Sequence, residues 1–587
     1  MLKGDFTQNM GRVFVIYTGG CLLCAAVLAL LSLAGVSDRT IGIAFVLLTV
    51  AFYASMGTLG RSARNADHYG AGQSVPALYT GMATAADWMS AASFIGLAGA
   101  IYAAGYDGLA FLLGWSGGYV LVAVLLAPYL RKFGQFTVPD FLSARYGGTP
   151  ARMVGTLVLM SASFLYVVAQ LYGTGIIAAR FLGLDFRAAV FVGLAGILLC
   201  SMQGGMRTLI WTQVAQYLVV IAAYLLPVVI LSVRATGVPF PQIMYGQALQ
   251  RVAGLTTQLG APSEILSPTG IVDGINFFGV TICLMLGTAS LPHVLARFFR
   301  TPSVREARIS VAWSLLFIFL LYSAAPAYAA FAKLEILQRL ADGRLAGDAA
   351  WLAEWSRVGL ISAGAAAGSP ELTQIHIDPD ALVLAIPEIA GLPFVVGAVV
   401  AAGGLAAAMS SADGLLLSIG KALSHDIYHR LLAPDSSPRR RLSVCRLGMI
   451  VAAILAAWMA STRPAGIVTV VGWAFSLAAS GLFPALVLGI WWKRATARGA
   501  VAGMAAGWSV CLAYILAVQA GWISPVLGVR TIAAGLFGIP AAFLVTLSVS
   551  LATPPPSREM QAFIDSIRKP RGPVHPIGEA AGQIDGS

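Results

Sequence analysis

The residue best placed to do chemistry is an aspartate inside an apolar stretch. Asp87 lies within residues 77–102, where it is the only charged residue. A carboxylate at the centre of a membrane-spanning helix costs roughly 2.5–3.5 kcal/mol on insertion scales, so a chain keeps one there to face a polar cavity, a partner or an ion. The neighbours of Asp87, from Ala83 to Ser93, are mostly small or hydroxylated. They predict a helix that is interrupted for a ligand.

A second carboxylate, Asp413, follows two adjacent hydroxyls in another apolar stretch. Ala407 precedes Ser410 and Ser411 by three and four residues, so its carbonyl lies on the same helical face as their side chains. Two carbonyls freed by the break in the first stretch would bring the number of oxygens to five. Five such oxygens suit Na⁺, which secondary transporters hold with the carbonyls of broken helices. The alternative is that the serines only bond to backbone or join helices. The predicted sodium ligands are Ala85, Trp88, Ala407, Ser410 and Ser411.

A third apolar stretch carries a further predicted break. Gly287 and Pro292 bracket small residues, Thr288, Ala289 and Ser290 among them. A half-helix that begins there would present amide groups and a positive dipole end to an anion. The alternative is a kink that serves only packing.

Composition places the chain in a membrane. Of its 587 residues 58% are hydrophobic and 11% are charged, against about 25% charged in soluble domains. Long uncharged runs exclude a β-barrel and indicate helices. The net charge of +12 does not indicate nucleic acid, because Lys and Arg cluster in short loops. The six cysteines fall in predicted spans and imply no disulfide framework.

We predict fourteen spans, and Lys and Arg are concentrated in the loops that would be cytoplasmic if both termini are inside. This orientation predicts two long external segments, 234–270 and 333–392, the second with a short helix at 334–340. A solvated loop is the preferred interpretation of His376 and Asp378 there, over a metal site. The predicted spans are 13–35, 41–60, 78–103, 109–130, 153–180, 187–204, 210–233, 271–293, 309–332, 393–424, 444–461, 466–491, 498–519 and 530–552.

The two breaks fall five spans apart, in corresponding positions of an inverted five-plus-five repeat. Such a repeat predicts a transporter with its site between the broken helices. No nucleophile–base pair or metal cluster appears in the sequence, so we expect no enzyme. The predicted divisions are flanking helices 1–60, a transporter core 61–495, flanking helices 496–552 and a cytoplasmic tail 553–587.

Several motifs together resemble the sodium:solute symporter family over about residues 61–495. They are the loop Asp67–Pro76, the glycine-pair segment Gly204–Gln213 and the segment Ser424–Tyr428. Asp87–Gly96, Gly105–Gly108 and Gly287–His293 look like its cation/acetate symporter branch. The resemblance implies the LeuT-type fold, an all-helical polytopic protein, and Na⁺-coupled uptake of a short monocarboxylate such as acetate across a bacterial-type inner membrane. It also implies that the family's sodium site falls on the five ligands named above.

The same resemblance implies contacts for a small anionic solute. We expect Thr288, Ser290 and backbone groups near Asp87 to bind it at the breaks. Asp87 would itself repel a carboxylate and is expected to organise the break. The full candidate set is Asp87, Gly287, Thr288, Ala289, Ser290, Tyr166 and Gln170. Na⁺, the solute and membrane lipid are the expected partners, with no cofactor, nucleic acid or obligatory protein partner.

One departure from the family predicts a second site. Many members carry an aspartate where this chain has Gln213, and Asp413 stands where relatives often have a hydroxyl. We expect Gln213 and Asp413 to face each other at a second cation or proton site. H⁺ coupling therefore stays open, as do another solute, such as an amino acid or a different organic acid, and a transporter-like sensor.

Overall fold

The computed structural model describes residues 10–59, 76–133, 137–202, 206–259, 271–298, 304–342, 349–363 and 375–568. These residues are mostly helical, with one short antiparallel hairpin in which Ile361 pairs with Ile377. Eleven helical stretches among them are long and apolar enough to cross a membrane. The motif residues 67–75 and 204–205 lie outside the described ranges.

The elements follow in chain order. The helices are α1 Met10–Leu33, α2 Asp38–Leu59, α3 Ala77–Trp88, α4 Leu97–Ala104, α5 Leu109–Leu121, α6 Ala127–Phe133, α7 Val138–Tyr146, α8 Gly148–Leu182, α9 Phe186–Ser201, α10 Met206–Thr236, α11 Pro241–Gln258, α12 Ile271–Ser290, α13 Pro292–Phe298, α14 Val304–Tyr322, α15 Ala324–Ala341, α16 Ala349–Val358, α17 Leu382–Ile389, α18 Phe394–Lys421, α19 Pro438–Ser461, α20 Ile467–Gly481, α21 Phe483–Trp491, α22 Ala497–Gln519, α23 Gly535–Ala552 and α24 Arg558–Arg568. The strands are β1 Ile361–Ala363 and β2 Ile375–Ile377. Wider π-helical turns occupy Ala92–Gly96, Val122–Leu126 and Ala422–Leu432.

The first predicted break lies directly after Asp87. Helix α3 ends at Trp88, and the Met89 N–H makes its last helical bond, to the carbonyl of Ala85. The Ser90 N–H turns to the hydroxyl of Ser93 at 2.9 Å. A side chain thus satisfies a backbone donor that the helix has released, as a membrane interior requires.

The second predicted break lies between α12 and α13. Leu291 separates the two helices, and its N–H reaches the carbonyl of Thr288 only at 3.4 Å. Pro292 then begins α13 and has no N–H to continue the ladder of α12. Both breaks therefore occur where the sequence predicts them.

The long helix α8 lies at the centre and packs against α9, α18 and α20. Helix α3 packs on α10, α14 and α18, while α12 packs on α5 and α20. Glycines allow these close approaches: a Cβ on Gly287 would lie 2.5 Å from the carbonyl oxygen of Phe475, and one on Gly118 would lie 2.4 Å from the side chain of Thr288. Both broken helices are thus held against unbroken ones.

One detail of the prediction is wrong. The segment 334–340 is not a separate short helix, because α15 runs on from Ala324 to Ala341 after a turn at Ser323. The segment 234–270, which is predicted to be external, contains α11, and this helix packs on α15. One of the eleven stretches in the structure, Ala92–Phe133, contains parts of two of the fourteen predicted spans, 78–103 and 109–130. The count of fourteen stays a prediction.

Candidate functional site

The two serines of α18 reach the end of α3. The hydroxyl of Ser410 donates to the carbonyls of Ala86 at 2.7 Å and Ala407 at 2.9 Å. The hydroxyl of Ser411 donates to the carbonyl of Asp87 at 2.7 Å. Both serines are fully buried. Two hydroxyls and a carbonyl of α18 are thus hydrogen-bonded with each other or with two carbonyls at the end of α3.

The carbonyls of Ala85 and Trp88 are engaged within their own segment. That of Ala85 accepts the Met89 N–H, and that of Trp88 accepts from the Ser90 N–H and the Ser93 hydroxyl, both at 2.9 Å. The assignment of Ala85 and Trp88 as ligands stays a prediction. The carbonyls of Ala86 and Asp87, which sequence reasoning missed, lie between them, because a helix end releases several consecutive carbonyls.

The carboxylate of Asp87 is buried beside α10 and α18. The amide nitrogen of Gln213 lies 3.4 Å from Asp87 Oδ1 and 3.1 Å from the carbonyl oxygen of Ser410. A Cβ on Gly414 would lie 3.1 Å from the same Oδ1, so this glycine leaves room for the carboxylate against α18. Gln213 therefore joins Asp87 to the backbone of the serine segment.

Asp413 lies one turn along α18 from the serines and is also buried. Its Oδ1 accepts a hydrogen bond from the hydroxyl of Ser201, at the end of α9. Asp87 is near enough to interact with Asp413 electrostatically. Gln213 donates to Asp87, and the expected meeting of Gln213 with Asp413 stays a prediction.

The N–H groups beyond the first break are held by side chains. The amide oxygen of Gln170 accepts the Ala91 N–H at 2.8 Å, and the Gln170 amide nitrogen donates to the carbonyl of Tyr166. The hydroxyl of Ser93 accepts the Ser90 N–H. Two neighbouring backbone donors at the start of the second half of this broken helix thus bind neutral oxygens, in the way that they would bind a carboxylate.

The residues at the second break differ in what they offer. The hydroxyl of Thr288 is buried and makes no hydrogen bond to any described residue. The hydroxyl of Ser290 donates to the carbonyls of Leu286 and Gly287 in its own helix. Gly287 packs on α20, and Ala289 is fully buried. Of the four candidates at this break, Thr288 alone presents an unused polar atom.

Aromatic rings surround both breaks. Trp88 meets Tyr119 edge to face, with ring centroids 5.1 Å apart. Tyr166 packs on Phe475 at 5.5 Å and on His293 at 5.9 Å. The hydrogen-bonding groups of the breaks are thus few and set among apolar rings, the usual make-up of a small-molecule site.

A turn at 378–381 packs on α4, the second half of the first broken helix, and sequence reasoning missed it. A Cβ on Gly99 would lie 1.9 Å from the carbonyl oxygen of Pro379. Asp380 Oδ2 accepts the Ile467 N–H at 2.8 Å, at the start of α20. Asp378 Oδ1 shapes the turn by accepting the Asp380 N–H at 2.8 Å. The turn therefore joins α4 to α20, and we call residues 378–381 the closing turn.

Comparisons with known proteins agree with this architecture. The model of the sodium:solute symporter family matches residues 68–354 and 370–507. An uncharacterized symporter of Cupriavidus necator is 38% identical over 678 aligned positions, which cover 97% of this chain and 99% of that protein. The solved structure of a Na⁺-coupled sialic acid symporter, substrate-bound and outward-open, matches with a TM-score of 0.66 at 18% identity over 88% of this chain and 98% of that chain. The predicted all-helical LeuT-type fold is confirmed.

The closing turn yields a prediction on pH. Burial, and secondarily the charge of Asp378, raise the pKa of Asp380 to about 7, whereas a solvated aspartate titrates near pH 3.9. The packed turn therefore holds a proton that the released turn loses, so packing is favoured at acidic pH and weakens as pH rises through 7. Between pH 6 and pH 8 the ratio of packed to released turn should fall by about tenfold.

Hydrogen–deuterium exchange of peptides over 375–382, corrected for intrinsic rates, measures this ratio. Asp380→Asn removes the titrating group and should make protection equal at both pH values. Glu354→Gln, on exposed α16, is the control and should keep the wild-type dependence. Equal pH dependence in wild type and Asp380→Asn would contradict this role of Asp380.

Proposed function

This chain belongs to the sodium:solute symporter family, and on that premise we propose that it couples inward movement of Na⁺ to uptake of a short monocarboxylate such as acetate. The observation that carries the proposal is the meeting of Ser410 and Ser411 with the freed carbonyls of Ala86 and Asp87. We place the protein in a bacterial inner membrane, with both termini in the cytoplasm.

The oxygens at the α3–α18 contact support Na⁺ as the ion. Every one of them belongs to a carbonyl or a hydroxyl, and a hydroxyl that now donates its proton can turn a lone pair to a cation instead. Ala407 supplies a carbonyl on the same face of α18. Carbonyls at a helix break are the usual sodium ligands of broken-helix transporters. The carbonyls of Ala85 and Trp88 would join the ion only if they gave up the bonds that they accept from Met89, Ser90 and Ser93.

Sodium bound there would couple ion to solute through one element. The same short break carries the freed carbonyls on its inner side and the Ser90 and Ala91 N–H groups on its outer side. An ion that fixes α3 against α18 therefore fixes those donors as well. Movement of the broken helices against α8 and α18 then carries both ligands, in the alternating-access manner of this architecture.

The carboxylate of the solute is placed at the two backbone donors beyond the break. In the proposal the solute carboxylate accepts the Ala91 N–H in place of the amide oxygen of Gln170. Its second polar contact is the hydroxyl of Thr288, which makes no hydrogen bond to any described residue. Tyr166 packs beside Gln170 and closes one side. Such charge-assisted bonds are about twice as strong as the neutral ones they replace, which favours an anion over the empty site.

The size of the solute follows from the surroundings. Rings of Trp88, Tyr119, Tyr166 and Phe475 pack edge to face about the breaks, and polar atoms there are few. This setting favours a solute with one charged end and a small apolar remainder.

Sodium-dependent uptake of labelled acetate into proteoliposomes tests the assignment, with lactate, alanine and sialic acid as competitors. Uptake of acetate that ignores a sodium gradient, or none at all, would contradict it.

A second cation or proton is proposed at Gln213 and Asp413. Two carboxylates, Asp87 and Asp413, lie buried within Coulombic range of each other. The described contacts of Asp413 are the hydroxyl of Ser201 and this like charge, so a positive charge there would relieve the repulsion. Gln213 holds Asp87 in place from α10.

The sodium assignment predicts the effect of removing the two hydroxyls. In Ser410→Ala/Ser411→Ala the carbonyls of α3 lose both partners, so the sodium concentration for half-maximal acetate uptake should rise at least tenfold. Ser418→Ala is the matched control, because its hydroxyl bonds only within α18, to the carbonyl of Gly414. Unchanged sodium activation in the double variant would sink the site.

The docking assignment predicts a charge effect at Gln170. Glutamate there can still accept the Ala91 N–H, but its charge would repel a solute carboxylate. Gln170→Glu should therefore lower acetate uptake at least tenfold while sodium binding persists. Gln170→Met, which removes the acceptor without adding charge, separates loss of the hydrogen bond from repulsion. Wild-type uptake by Gln170→Glu would show that the solute docks elsewhere.

If a cation or proton binds at the second site, Asp413→Asn should remove one of the charges that move with each acetate. The amide keeps a bond to Ser201 but carries no charge, so the charge moved per acetate in reconstituted vesicles should fall by one. Gln213→Glu adds a carboxylate on the opposite wall and should leave that charge unchanged or raised. An unaltered charge-to-acetate ratio in Asp413→Asn would rule out the second site.

A further inference from the structure

A buried polar cluster lies apart from the transport site, where α7, the start of α8 and the π-helical end of α18 meet. It consists of Asp140 on α7, Arg152 on α8, and His425 and Asp426 on the segment that follows α18. The two aspartates are at least 95% buried, while His425 is about one-quarter exposed. We call these four residues the Asp140 cluster. Nothing in the transport proposal uses it.

Arg152 organises the two carboxylates. Its Nη1 lies 2.7 Å from Asp140 Oδ1 and 3.2 Å from Asp426 Oδ1. The Oδ1 atoms are thereby fixed toward the guanidinium. The second oxygen of Asp140, Oδ2, is buried and accepts no hydrogen bond from any described residue.

Oδ2 of Asp140 faces the imidazole ring of His425. His425 Nε2 lies 3.6 Å from it, which is too long for a hydrogen bond. Two ligands that share a tetrahedral Zn²⁺, with bonds of about 2.0–2.1 Å, lie about 3.4 Å apart. One ligand atom each from Asp140, His425 and Asp426 lie within 4.8 Å of one another. The Asp140–His425 spacing thus suits a shared ion, and the alternative is an ion pair between Asp140 and protonated His425.

We propose that Asp140, His425 and Asp426 bind one divalent transition-metal ion of the Zn²⁺ class. An imidazole with two carboxylates and an open fourth position, reached past the exposed edge of His425, is a ligand set that such ions accept. Mg²⁺ and Ca²⁺ prefer oxygens alone. With neutral His425, the two carboxylates and Arg152 sum to one negative charge. A dication turns this to one positive charge, so repulsion from Arg152 limits the affinity but does not exclude binding.

The bound ion would join α7 to the end of α18, the helix that carries Ser410 and Ser411. It would do so at the same contact that Arg152 already bridges. Because the ion binds the cluster in the folded protein and not in the unfolded chain, it should stabilise the protein by mass action. Binding and heat stability are therefore two independent readouts, and neither depends on which solute is transported.

The test uses the full-length protein in detergent, with any polyhistidine tag removed and chelator dialysed away. Calorimetric titration with ZnCl₂ should show one site per chain, and the apparent melting temperature should rise with Zn²⁺. Co²⁺ should give the visible absorption of a tetrahedral site. His425→Ala should weaken Zn²⁺ binding at least tenfold and abolish the thermal shift.

Two further variants make the result specific. Asp140→Asn keeps the size of the side chain and the hydrogen bond that its backbone N–H donates to the hydroxyl of Thr137, but it should weaken binding at least tenfold. His376→Ala, on exposed β2, removes a histidine outside the cluster and should bind Zn²⁺ as the wild type does. Absence of stoichiometric binding in the wild type, equal affinity in His425→Ala, or loss of binding in His376→Ala would each overturn the proposal.

Discussion

The break after Asp87 is the feature on which the rest of the site depends. A helix that stops inside an apolar environment leaves carbonyls behind it and N–H groups ahead of it, and each needs a partner there. The chain supplies those partners from two other helices: the serines of α18 for the carbonyls, and Gln170 of α8 for an N–H. An ion and an anion are the natural replacements for these two kinds of partner. In the proposed function, one interruption thus supplies both the sodium ligands and the donors for the solute.

The carboxylates add a constraint of charge. Asp87 and Asp413 come from different helices and interact electrostatically, while Gln213 and Ser201 give them neutral donors. Asp87 is tied to the serine segment through Gln213 and to the break through its own carbonyl. A change in charge at Asp413 would therefore be felt at the sodium oxygens. This arrangement gives a physical route by which two sites on α18 influence each other.

The sequence predicted the features that depend on local pattern. Charge in an apolar run located Asp87 and Asp413, and glycine with proline located the break before Pro292. It did not predict which carbonyls face the serines, since Ala86 and Asp87 differ from Ala85 and Trp88 only by rotation about the helix axis. The closing turn was missed because its contacts with Gly99 and Ile467 join residues far apart in sequence. Helix α15 was predicted in two parts, the end of a span and a separate short helix, because its last turns are polar and hydropathy ended the span at residue 332.

The central claim is that Na⁺ occupies the oxygens between α3 and α18. A high-resolution structure in sodium acetate, compared with one in choline acetate, tests it most directly. We expect ion density in sodium among the carbonyls of the α3 break and Ala407 and the two serine hydroxyls, with those hydroxyls no longer donating to Ala86 and Asp87. An unchanged set of serine hydrogen bonds in saturating sodium, with ordered Na⁺ elsewhere, would contradict the account.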